Sequence, residues 1–181
     1  MTFFKDTFFW AMVSMFGLVG ACAVVGSKKV GRHSSLGLFV VAVFDFGRFV
    51  LVLPFCDQPR FEFGGWSVLI GSLILIGGGY LALAPCFTIK PLNIATEDTA
   101  LQTTGLYRLV RNPIYLGELL WCLGWAIIFR SIIGVALVPV WWAGLLILIL
   151  IEEESLERSL GSLYRDYRQQ VRGRIIPGLP I

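Results

Sequence analysis

The sequence predicts an all-α polytopic membrane protein: five transmembrane helices and a cytoplasmic amphipathic C-terminal helix, in one domain over residues 1–181. Three observations lead there. The composition is 56% hydrophobic and only 15% charged, with a mean hydropathy of +0.77, far too apolar for a soluble domain. Apolar runs at about 7–27, 36–56, 65–84, 113–129 and 131–151 approach the ~20 residues that cross a hydrocarbon core. From Glu152 onward the pattern changes, and apolar and basic residues sort onto opposite helical faces.

Thr7 to Ser27 carries no charge. Ala21-Cys22-Ala23 imitates a signal-peptidase site, but the apolar run is too long and the positive cluster follows it. Gly17 and Ala21 make a small-xxx-small pair suited to close helix contact. Lys28, Lys29, Arg32 and His33 fill the next loop, which the positive-inside rule puts in the cytoplasm and the N-terminus outside. Leu36 to Cys56 contains Asp45 and Arg48 on one helical face. At membrane depth such residues are paired or functional, so an internal ion pair is expected and substrate handling is the alternative. The loop Asp57 to Gly65 has no positive excess, as an external loop should.

The third run, Gly64 to Ile89, carries Gly71, Gly77, Gly78 and Gly79, a side-chain-poor surface that lets another helix approach. Pro85 is expected to kink or end it. Lys90 to Gly105 is the longest polar interval and is placed at the cytoplasmic surface, where such loops carry function. Asn112 is a good N-cap and Pro113 fits the first helical position of a short fourth span. If helical order extends back to Arg108, then Arg108, Arg111, Tyr115, Glu118 and Cys122 share one face. Arg130 and Ser131 mark an outer turn, and Ser131 to Ile151 completes a helical hairpin.

Beyond it, Leu156, Leu160, Leu163, Tyr164, Tyr167 and Val171 recur on one face, opposite Arg158, Arg165, Arg168 and Arg172. This reads as a surface helix from Glu152 that meets anionic headgroups, with Gly161 a candidate break and prolines 177 and 180 ending helical order. A net charge of +3 leaves no nucleic-acid footprint. The four cysteines sit in or beside different apolar segments, and there is one histidine, so neither a disulfide framework nor a metal site is expected.

Three polar clusters meet at one membrane surface. The first is Arg108, Arg111, Asn112, Tyr115 and Glu118. The second is Glu152, Glu153 and Glu154, brought alongside by the hairpin; the Arg-rich tail is the third. The bland alternative is a solvated helix end with Glu153–Glu157 and Glu154–Arg158 as neighbours. The functional reading is an anion site facing a cation site, which a zwitterion satisfies. S-adenosylmethionine fits, its carboxylate on the helix start and an arginine, its amino group on a glutamate.

Here RNPIYLG, the apolar hairpin and EEESLERSLGSLYRDYRQQVRGRIIPGLP resemble the membrane isoprenylcysteine carboxyl methyltransferases and the related phospholipid methyltransferases. The resemblance covers Gly105 to Pro180. It implies a five-helix enzyme that binds S-adenosylmethionine from the cytosol and takes a lipid-like or lipid-modified acceptor from the bilayer, with no nucleic acid and no metal. The cofactor-binding part would be about 90–181, in the cell membrane of a prokaryote or the endoplasmic reticulum of a eukaryote. Carried over, the cofactor is bordered by Arg111, Asn112, Pro113, Tyr115, Glu152 and Glu153.

Two departures stand out. Asn112 replaces the histidine usual in carboxyl methyltransferases, and phosphatidylethanolamine methyltransferases share Asn-Pro. The basic residue often found before the glutamates is absent, so Arg172 or Arg174 is expected to supply that charge. The resemblance implies carboxyl O-methylation of an isoprenylated cysteine, which needs no base, only a positive neighbour and a dry site. The chain would enter through a gap beside the short fourth span. Phospholipid N-methylation is the alternative and needs a base, Glu118 or Glu154. A sterol-type nicotinamide-dependent reductase and a non-enzymatic membrane subunit are the remaining readings.

Overall fold

The computed structural model describes residues 5–26, 35–88 and 101–179. Among these, six α-helices carry the fold: α1 (Thr7–Gly26), α2 (Ser35–Val52), α3 (Trp66–Thr88), α4 (Pro113–Ile128), α5 (Ile132–Leu160) and α6 (Ser162–Gln170). A 3-10 turn, Gly105–Arg108, precedes α4. Lys28, Lys29, Arg32 and His33, whose loop is expected in the cytoplasm, the start of the polar interval up to Ala100, and Pro180 lie outside the described residues.

Four helices are long and apolar enough to cross a membrane, over Thr7–Val24, Ser35–Val52, Trp66–Pro85 and Ile132–Leu160. α4 is shorter, at 16 residues, or about 24 Å at 1.5 Å per residue, against a hydrocarbon core of ~30 Å. Outward-facing Phe8, Phe16 and Phe87 are almost fully exposed, as lipid-facing side chains are in an integral membrane protein.

Three boundaries differ from the sequence reading. Pro85 lies inside α3, which continues to Thr88. α5 does not stop at the glutamates but runs to Leu160. Glu, Leu and Arg are good helix formers, so nothing there breaks the ladder until Gly161 at φ 57. The separate amphipathic helix is thus only Ser162–Gln170. Nor does helical order reach from Arg108 into α4: the 3-10 turn closes at Arg108 and α4 opens at Pro113. Arg108 is exposed and does not share the face of Tyr115 and Glu118.

The bundle is assembled by close backbone approach. A Cβ on Gly17 would stand 2.5 Å from the Phe44 backbone nitrogen, and one on Gly47 2.7 Å from that of Ser14. These contacts pack α1 and α2 antiparallel. α3 and α4 meet in the same way. A Cβ on Gly78 would lie 2.5 Å from the Trp121 nitrogen, and one on Gly117 2.3 Å from that of Ala82. Gly71 and Gly124 make the next such crossing toward the other end of the pair. Gly77, which the sequence put on this surface, has nothing within 4 Å. α5 lies parallel to α1, with the Trp141 indole donating to Ser14 Oγ at 3.4 Å and Leu18 filling the space over Gly144. Phe44, Leu51, Trp141, Leu145 and Ile149 form the core.

The end of the bundle at the α4–α5 turn is closed by Arg60. Its guanidinium donates to the carbonyls of Val52, Leu53, Cys56 and Phe129, satisfying acceptors left over at the ends of α2 and α4. Ser131 Oγ accepts from the Gly134 N–H at 2.8 Å and caps α5.

Candidate active site

At the opposite end, the chain between the 3-10 turn and α4 runs beside residues 171–174. The Arg111 N–H donates to Gly173 O and the Asn112 N–H to Arg174 O, both at 2.9 Å. A strap from the C-terminal tail is thereby bound across the start of α4. Pro113, buried at the first helical position, lacks an N–H and needs no partner there. Asn112 occupies the N-cap position, but its side chain makes no capping bond. Its amide instead donates to Glu153 Oε1 at 3.1 Å and to Arg174 O at 3.4 Å. A carboxylate acceptor outcompetes a neutral cap, because a charge-assisted hydrogen bond is about twice as strong.

Glu153 is the hub. It is 5% exposed and accepts from Arg111 Nε at 2.9 Å, Arg174 Nε at 3.1 Å and Asn112. Arg111 is buried too, and its Nη1 donates to the carbonyls of Val171 at 2.7 Å and Arg172 at 2.9 Å. Arg111 and Glu153, expected to sit on opposite sides of a zwitterion, thus bind one another. In a dry site each is the other's nearest compensation.

Tyr115 and Glu152 form a second pair. The phenol donates to Glu152 Oε2 at 2.7 Å. Tyr115 is buried and Glu152 half-exposed. One turn deeper, Glu118 lies 3.8 Å from Arg48 Nη2. Tyr115 and Glu118 line a cavity of about 20 Å³ with Ala21, Val41, Phe44, Leu145 and Leu148. A wider crevice of about 220 Å³, walled by Tyr80, Pro85, Leu106 and Tyr107, opens between α3 and the 3-10 turn.

Other expected groups stand apart. The Arg172 side chain is exposed, and the residue contributes its carbonyl. Glu154 is exposed and pairs loosely with Arg158 at 3.9 Å, while Glu157 pairs with Arg168 at 3.1 Å. On the side of α3, glycine contacts bring the helices together and leave no gap beside α4. An apolar groove of about 740 Å³ runs along α1 past Phe8, Met12, Phe16 and Val19. Among the described residues no His, Cys, Asp and Glu group is arranged to hold a metal ion.

Two tyrosines, which the sequence reading gave only as part of an apolar face, support the site from outside. Tyr164 and Tyr167 pack with Val171, Leu101 and Leu160, and Tyr167 Oη donates to Tyr107 O at 2.8 Å. Burial, then the Glu153 charge, pushes the Tyr164 phenol up from 10.0 to about 12. Tyr167 is raised as well, by burial first and its neighbour Tyr164 second. Both stay neutral at physiological pH.

Residues 64–162 match the family model described as phospholipid methyltransferase. The chain is 26% identical to protein-S-isoprenylcysteine O-methyltransferase B of Arabidopsis thaliana over 93% of its length and 94% of the relative. It is 34% identical to protein-S-isoprenylcysteine O-methyltransferase A of the same plant, over 81% of this chain and 75% of the relative. No solved structure matches it significantly.

Proposed function

Because the chain belongs to the phospholipid methyltransferase family, we propose that this membrane methyltransferase uses S-adenosylmethionine to methylate the carboxylate of an isoprenylated cysteine or a similar lipid-like acid. The observation that carries the reading is the buried Tyr115 bonded to a half-exposed Glu152 beside the Glu153 hub. Glu152 is partly exposed and could meet a ligand, while the buried Glu153 holds the frame. The relative matched over nearly its full length is named for that reaction.

When bound, S-adenosylmethionine supplies a methyl carbon on a cationic sulfur; the acceptor oxygen bonds to that carbon as the carbon–sulfur electron pair stays with sulfur. The residues present fit such a cation. Glu152 would hold its ammonium group and Tyr115 would fix the orientation of Glu152. The N–H groups at the start of α4 would face its carboxylate. Arg111, Asn112, Pro113, Glu153 and Arg174 contribute by holding that helix start in place. A carboxylate acceptor is already ionised, so no residue has to take a proton.

Calorimetry in detergent tests the donor. Glu152→Ala is expected to weaken binding roughly ten- to a hundred-fold, the about 1.5–3 kcal/mol of a charged hydrogen bond. Wild-type protein that binds a nicotinamide nucleotide and not S-adenosylmethionine would return the reductase reading. For the acceptor, labelled methyl should appear as a base-labile ester on N-acetyl-S-farnesylcysteine, at a rate nearly flat from about pH 6 to 8. Base-stable methyl on phosphatidylethanolamine, rising with pH and with none on the first compound, would establish the phospholipid reading instead.

This reading also has α4 crossing the bilayer as a fifth span. The N-terminus lies outside and the tail inside, in keeping with the parallel run of α1 and α5. Single cysteines introduced at positions 31 and 173 are expected to label from the same face of sealed vesicles. Labelling from opposite faces would sink the topology.

A further inference from the structure

A charged cluster buried between α2 and α4 is not used by the site as described so far, and we propose that its arginine, Arg48, is the residue that receives the acceptor's carboxylate. This deepens the methyltransferase reading and rests on its acid acceptor. Arg48 is 2% exposed, and its guanidinium carbon lies over the Phe44 ring, 3.8 Å from the centroid. One nitrogen, Nη2, serves both carboxylates: Asp45 in a close ion pair and Glu118 at 3.8 Å. The other two, Nε and Nη1, are buried with no hydrogen-bond partner among the described residues.

A guanidinium carries five N–H donors, and buried donors are satisfied almost without exception. Unmet charged donors in an apolar interior point to an oxygen-bearing group that the described residues do not supply. The position suits the acceptor. Phe44 and Glu118, both in contact with the guanidinium, line the 20 Å³ cavity whose remaining polar wall is Tyr115. Tyr115 in turn holds Glu152. The cavity thus borders both the residues that touch the guanidinium and the tyrosine of the pair assigned to the methyl donor. It has room for about one water-sized group, so it would take one oxygen of the carboxylate.

The charges agree. One guanidinium faces two carboxylates, so the cluster is formally negative and repels a lone anion. A carboxylate that enters beside a cationic donor brings no net charge, and methyl transfer cancels both together. Asp45 is the closer but more exposed of the two carboxylates, its side chain 39% exposed, so it is the one to neutralise without unsettling the interior.

The test uses the full chain in detergent, saturated with sinefungin, an unreactive analogue whose ammonium stands in for the sulfonium. Equilibrium binding of N-acetyl-S-farnesylcysteine is compared with that of its uncharged carboxamide. Wild type should prefer the carboxylate by at least about tenfold. Arg48→Gln should abolish the preference while leaving carboxamide affinity unchanged, whereas a purely structural lesion weakens both ligands alike. Asp45→Asn should tighten the carboxylate about three- to tenfold, because it frees Nη2 and removes a repelling charge; misfolding cannot imitate that gain. If Arg48→Gln does not fold, Asp45→Asn decides. A preference that survives Arg48→Gln, or an Asp45→Asn variant with unchanged affinity, leaves Arg48 an internal ion pair with a resident water and overturns the proposal. Wild type that binds neither compound refutes the acid-acceptor reading itself, and one that binds both equally refutes the role of Arg48.

Discussion

Glu153→Ala is expected to lower the stability of the protein by about 3–5 kcal/mol, the usual cost of removing one partner from a buried ion pair. Arg111 would be left buried with Nε unpaired, Arg174 would lose its acceptor, and the Asn112 amide would keep only Arg174 O. The strap over α4 would then lose its charged anchor and keep only bonds to its carbonyls, and S-adenosylmethionine affinity should fall with it. Glu153→Gln keeps an acceptor and removes the charge, so it should fall between. Glu154→Ala is the control: that side chain is exposed and loosely paired, and its effect should stay within about 0.5 kcal/mol. Thermal unfolding in detergent reads all three, and a Glu153→Ala melting point equal to that of Glu154→Ala would refute the hub.

The second large effect is expected at Gly117. Its Cβ would lie 2.3 Å from the Ala82 nitrogen and 2.7 Å from both the Ala82 Cα and Gly78 O. All three are backbone atoms, which cannot rotate away as a side chain would. Gly117→Val should therefore separate α3 from α4 at a cost at or above the ~3 kcal/mol of severe overpacking. Gly117→Ala should already be harmful. Gly77→Ala, one helix away with open space around its Cβ, should instead stabilise by roughly 0.5–1 kcal/mol through helix propensity. The two alanine variants therefore have opposite signs. Equal signs in chemical or thermal unfolding would show that the helices do not meet as described.

Much of this arrangement can be read without coordinates. Length and apolarity locate the helices, and Asn112-Pro113 marks the start of α4 to the residue. The partner of Asp45 is legible because a charge pair at that spacing shares a helix face. The choice among Glu152, Glu153 and Glu154 had a signal that went unread. Trp141, Leu145, Ile149 and Glu153 recur at steps of four, and the first three are core residues. That stripe points Glu153 inward, leaves Glu154 outside and makes the middle glutamate structural. Other features leave no local trace. Nothing near Arg111 announces that its acceptors are the carbonyls of Val171 and Arg172, some 60 positions away. Backbone acceptors carry no residue identity, so no pattern of side chains could have revealed them. The α3–α4 contact is intermediate: the glycines are visible, but which of Gly77 and Gly78 meets the neighbour depends on helix rotation.

The strap also has a consequence for biogenesis. Arg111 and Asn112 take their bonds from residues 171–174, so the start of α4 cannot reach its final form when it leaves the ribosome. At roughly 5–20 residues per second, the wait is about 3–12 s. During that interval α4 can already pair with α3 through their glycines, because both precede it in the chain. Helix insertion and site assembly are thereby separated in time, and the guanidinium of Arg111 has to be tolerated at the membrane surface, uncompensated, until synthesis reaches the residues that cover it.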